Sequence, residues 1–198
     1  QIAAGMGADV TVLDVDLERL ADLDAVYRGR VKTCYSEAFA LAELVAGADL
    51  VIGALLVPGK LAPRLISRKL LQRMRPGSVL VDIAIDQGGI AETSRPTSHS
   101  QPLFIEEGVV HYCVPNMPGA VPQTSTWALT NVTVPYAAKI ADQGLAAAVR
   151  ADPALSSGVN TYGGHVTYEP VARAHRFDHT PLLGLLAWWT RPSPAASP

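Results

Sequence analysis

The stretch SVLVDIAIDQGG, residues 78–89, runs from a β-strand pattern directly into an acid and two paired glycines. Six of its first nine residues are apolar, among them two Val and two Ile, which is typical of a strand buried in a parallel sheet. In open α/β sheets ligands bind beyond the carboxyl ends of the strands, and glycines let the backbone approach a ligand closely. Asp86, the last residue of the strand pattern, is therefore a candidate for positioning a ligand or handling protons. The alternative is a simple turn built from Asp-Gln-Gly-Gly.

Similar strand patterns lie on both sides of this stretch, and helical patterns separate them. The strand patterns occupy residues 8–16, 30–35, 49–57 and 108–114, and the helical patterns residues 17–27, 36–48 and about 65–74. We expect Ser36 to be the N-cap of the second helix. Strands and helices that alternate at this spacing predict βαβ units and a Rossmann-like, doubly wound parallel sheet. Residues 87–107 show no period and are predicted to form a loop.

Composition narrows the class of protein. The chain has 198 residues, 48% hydrophobic and 17% charged, which excludes a disordered, charge-rich protein. The net charge of −2 argues against a broad nucleic-acid surface. No apolar run reaches the roughly 18 residues of a membrane span. Cys34 and Cys113 cannot form a disulfide framework, so a reducing cytoplasm is expected.

The histidines show no metal-ligand spacing, so no metal site is predicted. His111 lies within a strand pattern, where a core histidine with satisfied hydrogen bonds is the expected role.

Asp14 lies near the end of the strand pattern 8–16. In dinucleotide-binding folds an acid about 20 residues past a Gly-rich turn accepts hydrogen bonds from the adenosine ribose. Such a carboxylate repels a 2′-phosphate, which favours NAD over NADP. The Gly-rich turn would then precede Gln1. Because the sequence opens without Met, we expect these residues to be part of a longer protein whose N-terminal part precedes Gln1. The alternative role for Asp14 is the N-cap of the following helix.

Several segments, taken together and in order, resemble the C-terminal half of the L-alanine dehydrogenase family. They include VTVLDVD, ADLVIGALLVPGKLAPRLI, IDQGG with ETSRPT, and NMPGAVPQTST, and the resemblance covers about residues 1–174. It implies reversible, NAD-dependent oxidative deamination of L-alanine to pyruvate and ammonium. It also implies a homo-oligomer, commonly a hexamer. The composition, as above, predicts a cytoplasmic protein with no nucleic-acid or membrane partner.

The resemblance implies the domain organisation. Residues 1–120 would form a partial NAD-binding Rossmann domain without its first strand and Gly-rich turn. Residues 121–175 would form a long helix, over about 124–142 with a kink at Pro135, and the C-terminal part of a substrate domain. The sequence after Arg173 does not match the family, and the Pro, Ala and Ser content of residues 176–198 favours a poorly ordered tail.

Site residues follow from the same resemblance. Asp86 matches the family's catalytic aspartate. The residues implied at the adenosine end of NAD are Asp14, Arg19 and Ser36. Those implied along the cofactor groove and at the nicotinamide end are Leu55, Leu56, Ile83, Ala84, Ile85, Asp86, Arg95, Val114, Pro115, Asn116 and Met117. The family's catalytic histidine and its substrate-binding Arg and Lys would precede Gln1.

One departure from the family touches this site. Pro115 stands where alanine is usual and removes one backbone N–H. Two alternative functions remain open at this point. One is the NAD-binding subunit of a transhydrogenase-like protein, against which the DQGG motif argues, and the other is a non-catalytic remnant.

Overall fold

The structure is a computed structural model that describes residues 1–58 and 60–189. The chain divides into two compact units. The first comprises Gln1–Leu55 and Pro63–Pro115. The second comprises Leu56–Ala62 and the described residues from Asn116 onward.

The first unit contains two sheets. Its strands are β1 (Val10–Asp14), β2 (Val31–Tyr35), β3 (Leu50–Gly53), β4 (Val79–Asp82), β5 (Leu103–Glu106) and β6 (Val109–Tyr112). β1 pairs with β2 in parallel, and a second sheet has the order β3-β4-β6-β5. All pairings are parallel except the β5–β6 hairpin. The α/β class with a mainly parallel sheet, predicted from the alternating pattern, is confirmed.

Helices connect these strands. They are α1 (Ile2–Gly5), α2 (Leu17–Tyr27), α3 (Ala38–Gly47) and α4 (Arg68–Leu71), with a 3₁₀ segment at Ile83–Gln87. The N-cap of α3 is Glu37, whose carboxylate accepts hydrogen bonds from the backbone N–H groups of Phe39 and Ala40. The prediction that Ser36 caps this helix is therefore wrong, because the longer glutamate side chain reaches both N–H groups from the next position.

The predicted loop 87–107 is wrong at its end, because residues 103–106 form β5. This strand joins β6 through Glu107 and Gly108, both with positive φ (52° and 76°). Such values are typical of the tight turns that match the twist of a hairpin. Glu-Gly is a weaker hairpin signal than Asn-Gly or Asp-Gly, which explains why the sequence pattern did not reveal the turn.

The core of the first unit lies around β4, the second strand of the four-stranded sheet. Leu80 on β4, Leu71 on α4 and Val109 on β6 are fully buried.

β1 and β3 are not hydrogen-bonded to each other in the described structure. Leu50 and Ile52 of β3 are at least half exposed. β1 and β3 therefore each have an edge without a strand partner among the described residues.

The second unit is mainly helical. Its elements are a 3₁₀ segment (Met117–Ala120), α5 (Pro122–Gln143), α6 (Leu145–Ala151), α7 (Pro153–Gly158), a hairpin of β7 (Thr161–Tyr162) and β8 (His165–Val166), α8 (Glu169–His175) and α9 (Leu182–Trp189). The long helix expected at 124–142 is present as α5, with Pro135 inside it.

The segment 176–198 was expected to be poorly ordered, but part of it is helical. Leu182 and Leu186 of α9 pack with Val149 of α6 in a small apolar cluster. Burial of these leucines explains why a helix forms where Pro, Ala and Ser begin to accumulate in the sequence. Residues 190–198 lie outside the described residues.

Candidate functional site

Candidate site residues of the first unit follow the carboxyl ends of its parallel strands. Asp14 is the last residue of β1, Leu55 lies two residues beyond β3, and Ile83 follows β4 directly. Val114 lies two residues beyond β6. These are the positions beyond which open α/β sheets bind their ligands.

Asp14 is not the cap of the helix that follows it. Asp16 is the N-cap of α2, and its carboxylate accepts hydrogen bonds from the backbone N–H groups of Glu18 and Arg19. Asp14 Oδ1 accepts a bond from the Asp16 backbone N–H at 3.0 Å. A carboxylate has about four acceptor sites, so Asp14 retains capacity for a ligand. The helix-cap alternative for Asp14 is thereby excluded.

Ser36 and Arg19 lie near Asp14. The Ser36 backbone N–H donates to the Asp14 carbonyl at 2.9 Å. Arg19 lies in the first turn of α2, with its side chain exposed. The fold therefore gathers the three residues implied at the adenosine end of the cofactor around the end of the β1–β2 sheet.

Asp86 lies on the 3₁₀ segment that directly follows β4. Because a 3₁₀ helix has three residues per turn, Ile83 and Asp86 share one face. Both side chains are exposed, whereas those of Ala84 and Ile85 are buried. Gly88 ends the segment in a left-handed conformation with φ 96°. An apolar and an acidic group thus stand side by side at the carboxyl end of the central strand.

A second acid, Asp82, lies at the end of β4 and is fully buried. Its Oδ2 accepts a hydrogen bond from the Ile90 backbone N–H at 2.8 Å and one from the Ser94 hydroxyl at 2.5 Å. Its Oδ1 is buried and has no partner among the described residues. Asp82 therefore ties the segment after Asp86 back to the sheet.

The same segment is held by backbone contacts. The Ile90 carbonyl accepts from the Ile66 N–H at 3.0 Å, and the Glu92 N–H donates to the Ile66 carbonyl at 2.9 Å. A Cβ added at Gly53 would lie 2.2 Å from the Ile90 Cδ1 atom, so the Ile90 side chain occupies the space beside the end of β3. Residues 89–94 are therefore closely constrained.

Arg95 continues this segment and lies at the end of a stack of three planar groups. Its guanidinium carbon is 4.1 Å from the centre of the Phe104 ring, a cation–π distance. On β5, Phe104 in turn stacks on His111, with ring centres 4.7 Å apart and an interplanar angle of 22°. The stack orients the Arg95 head group, and the Arg95 side chain stays exposed.

His111 is a buried histidine with both ring nitrogens bonded, as expected from the sequence. Nδ1 lies 2.9 Å from the Val109 carbonyl, which can only accept, so Nδ1 carries the proton. Nε2 therefore accepts from the Thr93 hydroxyl at 2.8 Å. Burial lowers the pKa of His111 below its ordinary value. The ring is a neutral structural group and not a proton-transfer group of the site.

We expect acid to destabilise the first unit through His111. Because its pKa is lowered in the folded state, the unfolded chain takes up the proton first. The free energy of unfolding should be insensitive to this group above its ordinary pKa of about 6.5 and should fall as the pH drops below that value. Urea unfolding at several pH values checks this. A His111→Gln variant should show a flatter acid limb, and parallel curves for the two proteins would contradict the assignment.

Three implied site residues belong to the second unit. They are Leu56, Asn116 and Met117. Leu56 is exposed, and Asn116 adopts a left-handed conformation (φ 53°) directly before the 3₁₀ segment that begins at Met117. Pro115 is the last residue of the first unit. That these residues approach the nicotinamide stays a prediction.

Sequence reasoning missed Asp82, Ser94 and Phe104 as residues that organise the site. Asp82 carried a usable signal, since an acid within an apolar strand pattern requires a buried partner. Ser94 and Phe104 carried none, because their partners are distant in sequence and only the fold brings them together.

Within residues 1–58 and 60–189, no three His, Cys, Asp or Glu side chains are grouped so that they could hold a metal ion. None of the helices described is both long and apolar enough to cross a membrane.

Comparison with known proteins shows extended similarity. The family model described as "Alanine dehydrogenase/PNT, C-terminal domain" matches residues 1–169. The chain is 52% identical over 186 residues to alanine dehydrogenase of Halomonas elongata, covering 94% of this chain and 50% of that protein. It is 54% identical over 172 residues to alanine dehydrogenase of Mycobacterium tuberculosis, covering 87% of this chain and 46% of the relative. The chain thus spans about half the length of the curated relatives it matches.

Solved structures give a consistent result. An L-alanine dehydrogenase structure superposes with a TM-score of 0.78 at 48% identity, covering 88% of this chain and 48% of the other. A transhydrogenase from Sinorhizobium meliloti superposes with a TM-score of 0.63 at 26% identity, covering 84% of this chain and 44% of the other.

Proposed function

Since the chain belongs to the alanine dehydrogenase/PNT C-terminal domain family, we propose that it forms one half of an NAD-dependent L-alanine dehydrogenase. The reaction is the reversible oxidative deamination of L-alanine to pyruvate and ammonium. We use "full-length protein" for the longer chain, of the relatives' length, in which these residues form one half. The observation that carries the proposal is the exposed Asp86, beside the apolar Ile83, on the 3₁₀ segment that follows the central strand β4.

The residues present fit a dinucleotide. Asp14 ends β1 with acceptor capacity left, and Leu55 and Ile83 follow the ends of two parallel strands. Asp14 would accept hydrogen bonds from the adenosine ribose, and Ile83 would offer an apolar surface toward the nicotinamide end. When bound, NAD supplies the hydride acceptor, and the protein supplies orientation and proton transfer. Arg95, held over Phe104, would offer a cation to the cofactor site.

Asp86 has two possible chemical tasks at this site. Release of ammonium from the oxidised substrate requires water and proton transfers, for which a positioned acid or base is effective. Asp86 would either transfer such a proton or hold the ribose and the family's histidine in place. Its exposed position allows both, and the pH profile described in the Discussion distinguishes them.

Two observations support the remaining parts of the proposal. The two cysteines, Cys34 and Cys113, are not paired with each other, which is consistent with a cytoplasmic location. The α5 side chains of Trp127, Leu129 and Val132 are more than 60% exposed, which favours further contacts in a homo-oligomer such as a hexamer. Light scattering of the full-length protein tests the oligomeric state.

The transhydrogenase alternative is less well supported. The structure that favours it shares 26% identity with this chain, against 48% for the L-alanine dehydrogenase structure. Mixing the full-length protein with L-alanine and NAD and following NADH absorbance tests the proposed function directly. Absence of alanine-dependent NADH formation would refute it.

We expect the full-length protein to prefer NAD to NADP, and Asp14→Ala to weaken NAD binding. Loss of hydrogen bonds to a charged acceptor costs about 1.5–3 kcal/mol, or roughly 10- to 150-fold in Kd. Repulsion of the 2′-phosphate also disappears, so discrimination against NADP should shrink. Calorimetric titration with both nucleotides measures the two effects.

The matched control for Asp14 is Asp22→Ala, which removes an exposed carboxylate from α2. It should leave both affinities unchanged. Equal kcat/KM for NAD and NADP in the wild-type protein would show that Asp14 does not select the cofactor.

A further inference from the structure

We propose that Asp82 is a positioning residue that holds both Asp86 and Arg95 in place for the reaction. The inference rests on the proposed function, in which these two residues belong to the cofactor site. It assigns a role to a buried acid that touches neither substrate nor cofactor in that proposal.

The first support is the pair of hydrogen bonds to one oxygen. Asp82 Oδ2 accepts the Ile90 backbone N–H at 2.8 Å and the Ser94 hydroxyl at 2.5 Å. The two donors lie 8 and 12 residues further along the chain. The Asp82 carboxylate therefore holds two points of the segment after β4, Ile90 and Ser94, against the end of that strand.

The second support is the position of these loops relative to the site residues. Ile83 follows Asp82 directly, so the 3₁₀ segment that carries Asp86 starts from the residue that receives both bonds. Ser94 precedes Arg95 directly. β4 pairs with β3 on one side and β6 on the other, so Asp82 is anchored to a strand with neighbours on both edges.

Tight packing around the carboxylate is the third support. A Cβ added at Gly89 would lie 2.7 Å from Asp82 Oδ2 and 2.6 Å from the Ser94 Cβ. Gly89 also has φ 78°, which other residues rarely adopt. The glycine lets the backbone pass close to the carboxylate, so the loop has little freedom to move away from it.

Folding alone does not require an acid at this position. A fully buried carboxyl is costly, and Oδ1 has no partner within the described part of the chain. Replacing buried ionic groups with well-packed apolar residues is often neutral or stabilising. An apolar residue, however, cannot accept the two hydrogen bonds from Ile90 and Ser94 that hold the segment next to the site.

Hydrogen exchange of the full-length protein without ligand tests whether Asp82 holds the segment that contains Ile90 and Ser94 in place. In Asp82→Ala the Ile90 amide should exchange about tenfold faster or more, while the amides of β1 and β2 keep their wild-type rates. The matched control is Ser78→Ala, which removes a buried hydroxyl at the other end of β4 that has no hydrogen-bond partner among the described residues. Ser78→Ala should change neither the exchange of the Ile90 amide nor that of the β1 and β2 amides. Unchanged exchange at Ile90, or an equal rise throughout the first unit, would overturn the proposal.

Ser94→Ala is the milder variant and decides the question if Asp82→Ala does not fold. It removes one of the two bonds and leaves the Ile90 bond in place, so kcat should fall several-fold without a change in exchange of β1 and β2. If Asp82 and Ser94 act through Asp86, the same substitution should change kcat less than about twofold in an Asp86→Asn background. Fully additive effects in both the Asp86→Asn background and an Arg95→Ala background would overturn the proposal.

The turnover and hydrogen-exchange measurements separate this inference from the proposed function. Wild-type turnover by Asp86→Asn would refute the function proposed for Asp86. The exchange of the Ile90 amide reports on the hydrogen bond to Asp82 whether or not the protein oxidises alanine.

Discussion

Full-length protein carrying Asp86→Asn should turn over L-alanine at least about 100-fold more slowly than the wild-type protein, the loss typical when acid–base assistance is removed. Asparagine keeps the shape of the side chain and removes its charge. Because Asp86 is exposed on a short 3₁₀ segment, the substitution should not disturb the buried core. Steady-state kinetics of NADH formation measure the change in kcat and KM.

The pH dependence of that variant separates the two tasks of Asp86. Loss of one limb of the kcat profile indicates proton transfer, whereas a raised KM for NAD with an unchanged profile indicates that Asp86 holds the cofactor. The matched control is Asp9→Asn, at the opposite end of the first sheet, where the acid pairs with Lys32 on the surface. Exposed pairs contribute little, so this variant should behave as wild type. Turnover by Asp86→Asn equal to the control would leave Asp86 as a turn residue.

The 198-residue chain expressed alone is expected to show no sustained oxidation of L-alanine. In the proposed function, the backbone N–H groups that hold the pyrophosphate at a helix N-terminus come from a Gly-rich turn outside these residues. The strands β1 and β3, which are not paired with each other, leave sheet edges open for association. We therefore also expect a low unfolding midpoint and a tendency to aggregate. NADH absorbance and urea unfolding check both expectations.

Supplying the other half should reverse this behaviour. A fusion of these residues behind the first half of the Bacillus subtilis alanine dehydrogenase, which shares 52% identity with this chain over 182 residues, should form NADH from L-alanine and NAD. The same fusion with Asp86→Asn is the control for activity of the added half. Sustained turnover by the 198-residue chain without the added half would contradict the expectation that activity requires the Gly-rich turn supplied by that half.

Local patterns predicted much of the fold. The predicted strand runs 8–16, 49–57 and 78–86 contain β1, β3 and β4, and each strand is shorter than its run. Their order with the intervening helices predicted parallel pairing, since βαβ connections return the chain in the same direction. A long helix was also predicted, over about 124–142, and is present as α5.

Other features depended on competition between neighbouring groups. Ser36 and Glu37 both offer oxygens to the start of α3, and backbone geometry selected Glu37. Asp14 and Asp16 both precede α2, and the helix begins where Asp16 can reach its N–H groups. The sequence shows both members of each pair, whereas the actual path of the backbone decides which one caps the helix. This choice leaves Asp14 available for a ligand.

By itself, the sequence determined the α/β class, the strand end at which Asp14 lies, and the similarity to alanine dehydrogenases, because all of these are recorded in contiguous residues. The strand pattern that was expected to reach Asp86 ends at Asp82, and Asp86 lies on a 3₁₀ segment. Only the tertiary structure decided that Asp82 accepts from Ile90 and Ser94, and that Arg95 stacks on Phe104. These contacts join residues 8 to 12 positions apart through loops with no period, whose path is set by the packing of Ile90 beside Gly53. A buried hydrogen bond forms only where folding brings donor and acceptor within about 3 Å, and no local preference encodes that distance.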